Sequence, residues 1–223
     1  MAITLTHKSE TPFWKDVSFL EKCKKTDFVA LIYEMLSEKI PSDKQRRLFE
    51  LILKLSIDHG QDTPSAIPVI DGAKAGENVS ASIARGIKKI DDSHGGAGEN
   101  AMTLFYKLKR GNLNVEETIK AYLQKKIRIP GFGHRLYKKD VRAEMILEEV
   151  DALDIGREYA ALARFVEETL RKHTSKNLPI NIDGALAAAL CALDWKAETA
   201  KPVFIIARIP GLLAHFLNNK KIF

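Results

Sequence analysis

The sequence predicts an all-α protein, and three observations lead to this fold class. Apolar residues recur at helical spacing along most of the 223 residues, as in the stripe of Leu48, Leu51 and Leu55. Alternating apolar and polar residues form no clear run, so a doubly wound sheet is not expected. Loops that combine glycine with histidine or aspartate separate the helical segments. We therefore expect a helical subunit that carries its chemistry on loops held by helices.

Capping signals predict where helices begin. Ser42 followed by Gln45 has the spacing of a capping box, in which each side chain bonds the other residue's backbone N–H. Asn114 and Glu117 offer a second box. Asp183 stands at the start of an alanine-rich apolar segment, where it could serve as an N-cap. Its carboxylate therefore has both a structural and a chemical interpretation.

The last helical region, about residues 195–217, contains Pro202 and the Pro210-Gly211 pair, which we expect to kink or divide it. No apolar run approaches the roughly 20 residues of a membrane helix, so we expect no membrane association. The N-terminus lacks the charged start and apolar block of a secretory signal. The two cysteines, Cys23 and Cys191, fit a reducing compartment, and we expect a cytoplasmic protein.

The formal net charge of +6 indicates affinity for polyanions. Basic pairs recur along the chain at Lys24/Lys25, Lys88/Lys89, Lys125/Lys126, Lys138/Lys139 and Lys220/Lys221. Such a surface can attract nucleic acid or a small polyanion such as a nucleotide or coenzyme A, but each pair is also compatible with a solvated surface. Acidic residues are interleaved throughout, so no continuous basic stripe favours DNA. No cysteine or histidine pair has zinc-ligand spacing, and we expect no metal site.

Four segments carry the chemistry-bearing residues. They are DHGQDTPSA (58–66), DDSHGGAGEN (91–100), PGFGHRLYKKDVRA (130–143) and NIDGALAAAL (181–190). The pattern Gly131-Phe132-Gly133 lacks the third glycine and the preceding strand of a dinucleotide loop. Taken singly, each segment is compatible with a structural role.

Taken together and in this order, the segments resemble the citrate synthase superfamily, and most of all a stand-alone citryl-CoA lyase related to the C-terminal lyase module of ATP-citrate lyase. HGGAGEN, PGFGH with Arg142 eight residues later, NIDG, and Ile206-Ala207-Arg208 followed by His215 carry the resemblance, which extends from about Phe28 to Phe223. It implies a large helical lobe (1–94 and 184–223), a small helical lobe (95–183), and an active site between them.

The resemblance implies roles for three catalytic residues. His94 is similar to the histidine that bonds the thioester oxygen, and His134 to the one that bonds the ketone or hydroxyl oxygen. Asp183 is similar to the carboxylate that moves a proton at the acetyl carbon. The reaction itself requires two histidines and a carboxyl group or their equivalents, because a departing thioester enolate needs a hydrogen-bond donor at its oxygen and a proton source at its carbon.

Two groups of binding residues follow from the same resemblance. The residues expected to hold substrate carboxylates are His59, Arg142 and Arg208, since arginine pairs bidentately with a carboxylate. The residues expected to bind coenzyme A are Pro130, Gly131, Phe132, Gly133, Arg135, Lys138 and Lys139. The implied ligands are citryl-CoA, acetyl-CoA and oxaloacetate, with no permanently bound cofactor.

Cleavage of citryl-CoA and condensation of acetyl-CoA with oxaloacetate use the same catalytic residues. The choice between a lyase and a synthase therefore depends on other features of the sequence. The length of the chain, QDTPSA after the His59 segment, and NIDG are lyase-like, whereas His94 is synthase-like. We expect a citryl-CoA lyase of citrate metabolism, including the reductive tricarboxylic acid cycle. The alternatives are a citrate or methylcitrate synthase and a non-catalytic subunit that binds coenzyme A.

The resemblance also bears on assembly. It implies a homodimer or higher homo-oligomer, with a separate citryl-CoA synthetase as a possible partner. Family members carry a further arginine about twenty residues beyond the position of Arg208, contributed to the neighbouring subunit's site. That position lies past Phe223, so the completeness of the carboxylate site is open at this point.

Overall fold

A computed structural model describes residues 2–8, 11–91, 94–111 and 113–220. About 64% of the chain is helical, which confirms the all-α fold class. The chain divides into two compact units, residues 1–50 and 51–223. The predicted lobes with boundaries at 94/95 and 183/184 stay a prediction. Asp92, Ser93 and Lys221, which belong to predicted loops and basic pairs, lie outside the described residues.

The first unit combines a small sheet with helices. Its elements are β1 (Leu5–Lys8), β2 (Thr11–Trp14), β3 (Val17–Ser18), α1 (Phe19–Lys25), α2 (Phe28–Ser37) and the start of α3 (Asp43–Ser56). The three strands pair antiparallel in the order β1, β2, β3. The sequence analysis missed them, because two to four residues are too few to show an alternating pattern. Trp14 is buried, and its Nε1 donates to Glu34 at 2.8 Å.

The second unit contains the remaining helices. They are α4 (Ala66–Lys74), α5 (Val79–Ile87), α6 (Gly98–Arg110), α7 (Val115–Gln124), α8 (Val141–Leu153), α9 (Arg157–His173), α10 (Ile182–Ala192), α11 (Ala200–Asn219) and a short 3₁₀ helix (Ala197–Thr199). Helix α10 is the core helix: its residues are small or apolar on all sides, and it packs against α6, α8 and α9. Its first turn is therefore held in a fixed place.

The predicted helix starts are confirmed. The Ser42 backbone N donates to Gln45 Oε1 at 2.9 Å, and the Gln45 backbone N donates to Ser42 Oγ at 3.4 Å. At α7, Asn114 Oδ1 accepts from the Glu117 backbone N at 3.1 Å. These bonds satisfy N–H groups that the first turn leaves without helical partners.

The predicted division of the last helix is wrong. Helix α11 runs through Pro210, and Pro202 lies in its first turn, where a backbone N–H has no helical acceptor in any case. The stretch Ala197–Asn219 is long and apolar enough to cross a membrane by length and composition, with a mean hydropathy of 1.4. The sequence analysis expected no apolar run as long as a membrane helix. That expectation is wrong, because the helix continues through Pro210. Length and composition alone do not separate a membrane span from a buried core helix, and 44% of the most apolar window is buried here.

A close backbone contact fixes the loop after α7 on the start of α10. Gly131 has φ of +84°, and a Cβ there would lie 2.6 Å from the Cα of Gly184. The Asn181 backbone N donates to Gly131 O at 3.1 Å, and the Gly133 backbone N donates to Pro179 O at 2.7 Å. Only glycine fits such an approach, so His134, which follows this loop, has a defined position relative to α10.

We expect Gly131→Ala to be more destabilising than Gly76→Ala. Gly76 has a similar φ of +79°, but a Cβ there meets nothing within 4 Å. Gly76→Ala should therefore cost only about 1 kcal/mol of backbone strain. Gly131→Ala should cost roughly 1–3 kcal/mol more, because the contact with α10 must open. Urea unfolding measures both, and equal losses would contradict the proposed packing.

Candidate active site

A cavity of about 170 Å³ in the second unit brings together the six residues predicted for catalysis and carboxylate binding. They are His59, His94, His134, Arg142, Asp183 and Arg208. Their sequence separation spans most of the second unit, so only the fold assembles them. Their individual roles stay predictions.

Asp183 is the second residue of α10, and it is not the N-cap. Asn181 is the cap, because its Oδ1 accepts from the backbone N of Asp183 at 3.0 Å and of Gly184 at 3.2 Å. The Asp183 carboxylate accepts a hydrogen bond from the Gly95 backbone, and its Oδ1 is buried without a partner among the described residues. Burial raises the pKa of Asp183 to about 6. The carboxyl group can therefore hold or release a proton near neutral pH.

His94 lies on a tight turn after α5. Its backbone N donates to Asp91 O at 2.9 Å. Its Nε2 lies 2.9 Å from the hydroxyl of Ser65, a fully buried residue of the segment 58–66 that the sequence analysis did not single out. Burial, and then the charge of Arg208, lower the pKa of His94 to about 4. The ring is therefore neutral at pH 7.

His134 has a defined tautomer. Its Nδ1 accepts from the backbone N of Leu136 at 3.0 Å and of Tyr137 at 2.9 Å, so the ring proton sits on Nε2. The ring stacks on Tyr137 at 4.4 Å between centroids. Burial lowers the pKa of His134, which keeps the ring neutral. His134 therefore presents an N–H donor at Nε2.

Arg208 is a buried cation with an N–H group that has no acceptor among the described residues. It is 1% exposed, its Nε donates to Ser56 O at 2.9 Å, and its guanidinium lies 4.8 Å from the Phe204 ring centroid. Its Nη1 is buried and has no hydrogen-bond partner among the described residues. Burial lowers the pKa of Arg208 to about 10, so it stays charged at pH 7. A desolvated cation of this kind is stabilised by an anion that enters the cavity.

His59 completes the carboxylate-binding group. Burial, and then the charge of Arg142, lower its pKa to about 4. Its ring lies 5.4 Å from that of His134 between centroids. The preceding residue, Asp58, accepts from or pairs with His215 Nε2 at 2.9 Å, which ties the His59 loop to α11. His215, which is part of the sequence resemblance, therefore contacts the residue that precedes His59 and does not line the 170 Å³ cavity itself.

A second cavity, about 950 Å³ in volume, adjoins the first and shares His134 and Asp183 with it. Five of the residues predicted for coenzyme A line it: Pro130, Gly131, Phe132, Gly133 and Arg135. The other two, Lys138 and Lys139, line a separate cavity of about 710 Å³. Three further cations line the larger cavity: Lys126, which the sequence analysis named only as part of a basic pair, and Arg128 and Lys176, which it missed because they stand outside the recognised motifs.

No group of three or more histidine, cysteine, aspartate or glutamate side chains arranged to bind a metal ion occurs among the residues that the structure describes. The expectation of a reaction without metal stays a prediction, based on the donor set of two histidines and a carboxyl group.

The chain belongs to the citrate synthase C-terminal domain family, which it matches over residues 2–223. Among solved structures it is similar to citryl-CoA lyase from Hydrogenobacter thermophilus, with a TM-score of 0.90, 31% identity, and coverage of 98% of this chain and 86% of that one. The fold and the predicted family are thereby confirmed.

Two curated relatives extend the comparison. ATP-citrate synthase subunit 1 of Sordaria macrospora is 28% identical over 199 residues, which are 81% of this chain and 29% of the relative. Citrate synthase of a Synechocystis species is 30% identical over 199 residues, 86% of this chain and 49% of the relative. The chain thus spans a half or less of the length of these relatives. The proteins that it resembles include both a citryl-CoA lyase and a citrate synthase.

We expect Asp183→Asn to stabilise the protein at pH 7. A raised pKa means that the folded state holds the proton more tightly than the unfolded state. The stability associated with Asp183 is therefore greatest at low pH and is lost as the pH rises through about 6. The gain for the neutral amide should be on the order of 2 kcal/mol at pH 7 and should vanish near pH 4. Thermal unfolding at both pH values measures it, and a pH-independent difference would contradict this electrostatic origin.

Proposed function

We propose that the protein is a citryl-CoA lyase, which cleaves citryl-CoA to acetyl-CoA and oxaloacetate. The observation that carries the proposal is the convergence of a carboxyl group of raised pKa, two neutral histidines and two arginines on one cavity. The adjoining 950 Å³ cavity offers room and cations for coenzyme A. The similarity to citryl-CoA lyase from Hydrogenobacter thermophilus supports the same reading.

Substrate binding follows from the unsatisfied cations. Arg208 and Arg142 each have a buried Nη1 without a hydrogen-bond partner among the described residues. Carboxylates of the citryl group would take these positions, with His59 beside them. Charge-assisted bonds to buried guanidinium groups are strong and directional, so they orient the bond that breaks.

Catalysis follows from the proton positions. The bond between the hydroxyl-bearing carbon and the acetyl methylene carbon breaks, and its electron pair passes to the thioester as an enolate. His94 donates a hydrogen bond to the enolate oxygen, and protonated Asp183 delivers its proton to the enolate carbon. His134 Nε2–H bonds the oxygen that becomes the ketone. The hydroxyl proton is released to solvent water as the ketone forms, and Asp183 takes up a proton from water afterwards, so each turnover releases one proton and consumes one.

Citrate synthase activity is the second candidate, because a cyanobacterial citrate synthase is 30% identical over 86% of this chain. In condensation, ionised Asp183 would remove a proton from acetyl-CoA, and the same histidines would serve the two oxygens. A methylcitrate synthase would use the same residues with a larger acyl group. A purely binding role is disfavoured, since a buried carboxyl oxygen without a partner costs stability and adds nothing to coenzyme A affinity.

The two directions are separated by assaying pure protein with citryl-CoA and, in parallel, with oxaloacetate plus acetyl-CoA. Cleavage should dominate and should slow as the pH rises above the pKa of Asp183, because the protonated form is the donor.

Asp183→Asn should lower turnover by roughly 10²-fold or more. The matched control is Asp154→Asn, at an exposed helix end where φ is +57° and Asn is tolerated. Wild-type turnover in Asp183→Asn would falsify the assigned role.

Coenzyme A should bind in the 950 Å³ cavity, and its affinity should fall with salt because cations meet its phosphates. Lys176→Ala should raise the dissociation constant several-fold at low ionic strength and flatten the salt dependence. The control is Lys172→Ala, which removes an exposed lysine paired with Glu168. Calorimetric titration measures both variants. Equal affinities in the two would argue against this cavity as the binding site.

The remaining partners and the location stay predictions. The family resemblance implies a homodimer or higher homo-oligomer and a separate citryl-CoA synthetase, and the composition of the sequence predicts a cytoplasmic location without membrane or nucleic-acid partners.

A further inference from the structure

Asp140 is a buried carboxylate beside two residues of the site, Arg142 and His134, and the sequence analysis gave it no role. It is 2% exposed and caps α8, where its Oδ1 accepts from the backbone N of Arg142 at 3.1 Å. The Arg142 side chain returns to the same carboxylate, with Nε donating to Oδ1 at 3.0 Å and Nη2 to Oδ2 at 2.8 Å. One carboxylate therefore receives three N–H groups of a single residue.

We propose that Asp140 is a positioning residue that fixes the plane of the Arg142 guanidinium, so that its remaining edge receives a substrate carboxylate. The inference deepens the proposed function and rests on it. A guanidinium group has five N–H donors, and the bonds to Asp140 engage one edge of the fork. The Nη1 edge is buried and has no hydrogen-bond partner among the described residues.

The Nη1 edge of Arg142 is proposed to bind a substrate carboxylate, and the cavity that Arg142 lines supports this. Arg142 lines the 170 Å³ cavity together with Arg208, whose Nη1 is likewise without a partner in the described part of the chain. A four-carbon dicarboxylate such as oxaloacetate carries two carboxylates and could meet both arginines. Bidentate pairing requires the guanidinium plane to be set in advance, since a freely rotating side chain would lose that freedom on binding.

The charge of Asp140 also balances the cavity. The charge of Arg142 opposes that of the buried Arg208, and Asp140 offsets the Arg142 charge through their ion pair. Asp140 Oδ2 lies 4.0 Å from His134 Nε2, so the carboxylate also faces the ring that bonds the substrate oxygen. Asp140 thus links a carboxylate-binding residue to a catalytic one.

The competing interpretation is that Asp140 only caps α8. Asparagine caps a helix about as well as aspartate, so Asp140→Asn keeps the cap. It also removes the charge and places an amide NH₂ where an oxygen faced the Arg142 N–H groups. The substitution therefore separates positioning from capping.

The test is the affinity of oxaloacetate, measured by calorimetry, together with steady-state kinetics. Asp140→Asn should raise the oxaloacetate dissociation constant and the KM for citryl-CoA by roughly tenfold or more, the loss expected for one charged hydrogen bond. The coenzyme A dissociation constant should stay near that of the wild type, whereas the melting temperature should fall, because Arg142 loses the buried partner of its charge. Asp27→Asn is the matched control, because Asp27 caps α2 through Ala30 N at 3.0 Å and also faces an arginine, Arg46.

A second pair of variants keeps the inference testable if Asp140→Asn folds poorly. Arg142→Lys retains the charge but lacks the fork, and it should weaken oxaloacetate binding to a similar extent. In the double variant the two losses should not add, because Asp140 acts through Arg142. Additive losses would overturn the inference, as would unchanged oxaloacetate affinity in folded Asp140→Asn.

The outcomes for the proposed function are distinct. A wild-type protein that binds oxaloacetate but turns over neither substrate pair contradicts the lyase and synthase proposals alone. Equal oxaloacetate binding by the wild type and Asp140→Asn contradicts the positioning role alone. A wild-type protein that does not bind oxaloacetate contradicts both.

Discussion

The site depends on the contact between the backbone of Gly131 and that of Gly184. This contact seats the loop that ends in His134 on the first turn of α10, which carries Asp183. Because α10 is buried on all sides, its first turn cannot shift without disturbing three neighbouring helices. The histidine donor and the carboxyl group are therefore held in fixed relation before any ligand arrives, which is the preorganisation that acid–base catalysis requires.

The same burial that fixes the site also destabilises it. The Asp183 carboxyl oxygen, the Arg208 guanidinium and the Arg142 Nη1 have lost water without gaining full hydrogen bonding among the described residues. Proteins rarely retain such groups unless function requires them, since each costs stability. Their convergence on one cavity supports the proposal that an anionic ligand supplies the remaining hydrogen bonds.

The three histidines of the cavity share one protonation state, the neutral one. Burial and neighbouring arginines lower the pKa of His59, His94 and His134, so all three rings are neutral at pH 7. Neutral rings act as hydrogen-bond donors and acceptors, and the net positive charge of the cavity is left to the arginines. Asp183 has the opposite shift, with its pKa raised by burial to about 6, which supports the proposal that it carries the proton.

The sequence by itself determined the helical fold class, the helix caps at Ser42 and Asn114, and the six residues that meet in the cavity. Apolar spacing and cap chemistry, which are local patterns, gave the first two, and the resemblance of the motifs to the citrate synthase family gave the six residues. The short strands, the continuity of α11 and the roles of Asn181, Ser65 and Asp140 came only from the tertiary structure. A cap is decided by which side chain reaches the free N–H groups, and a positioning residue by what it touches across space. Packing supplies both, and no local pattern encodes them.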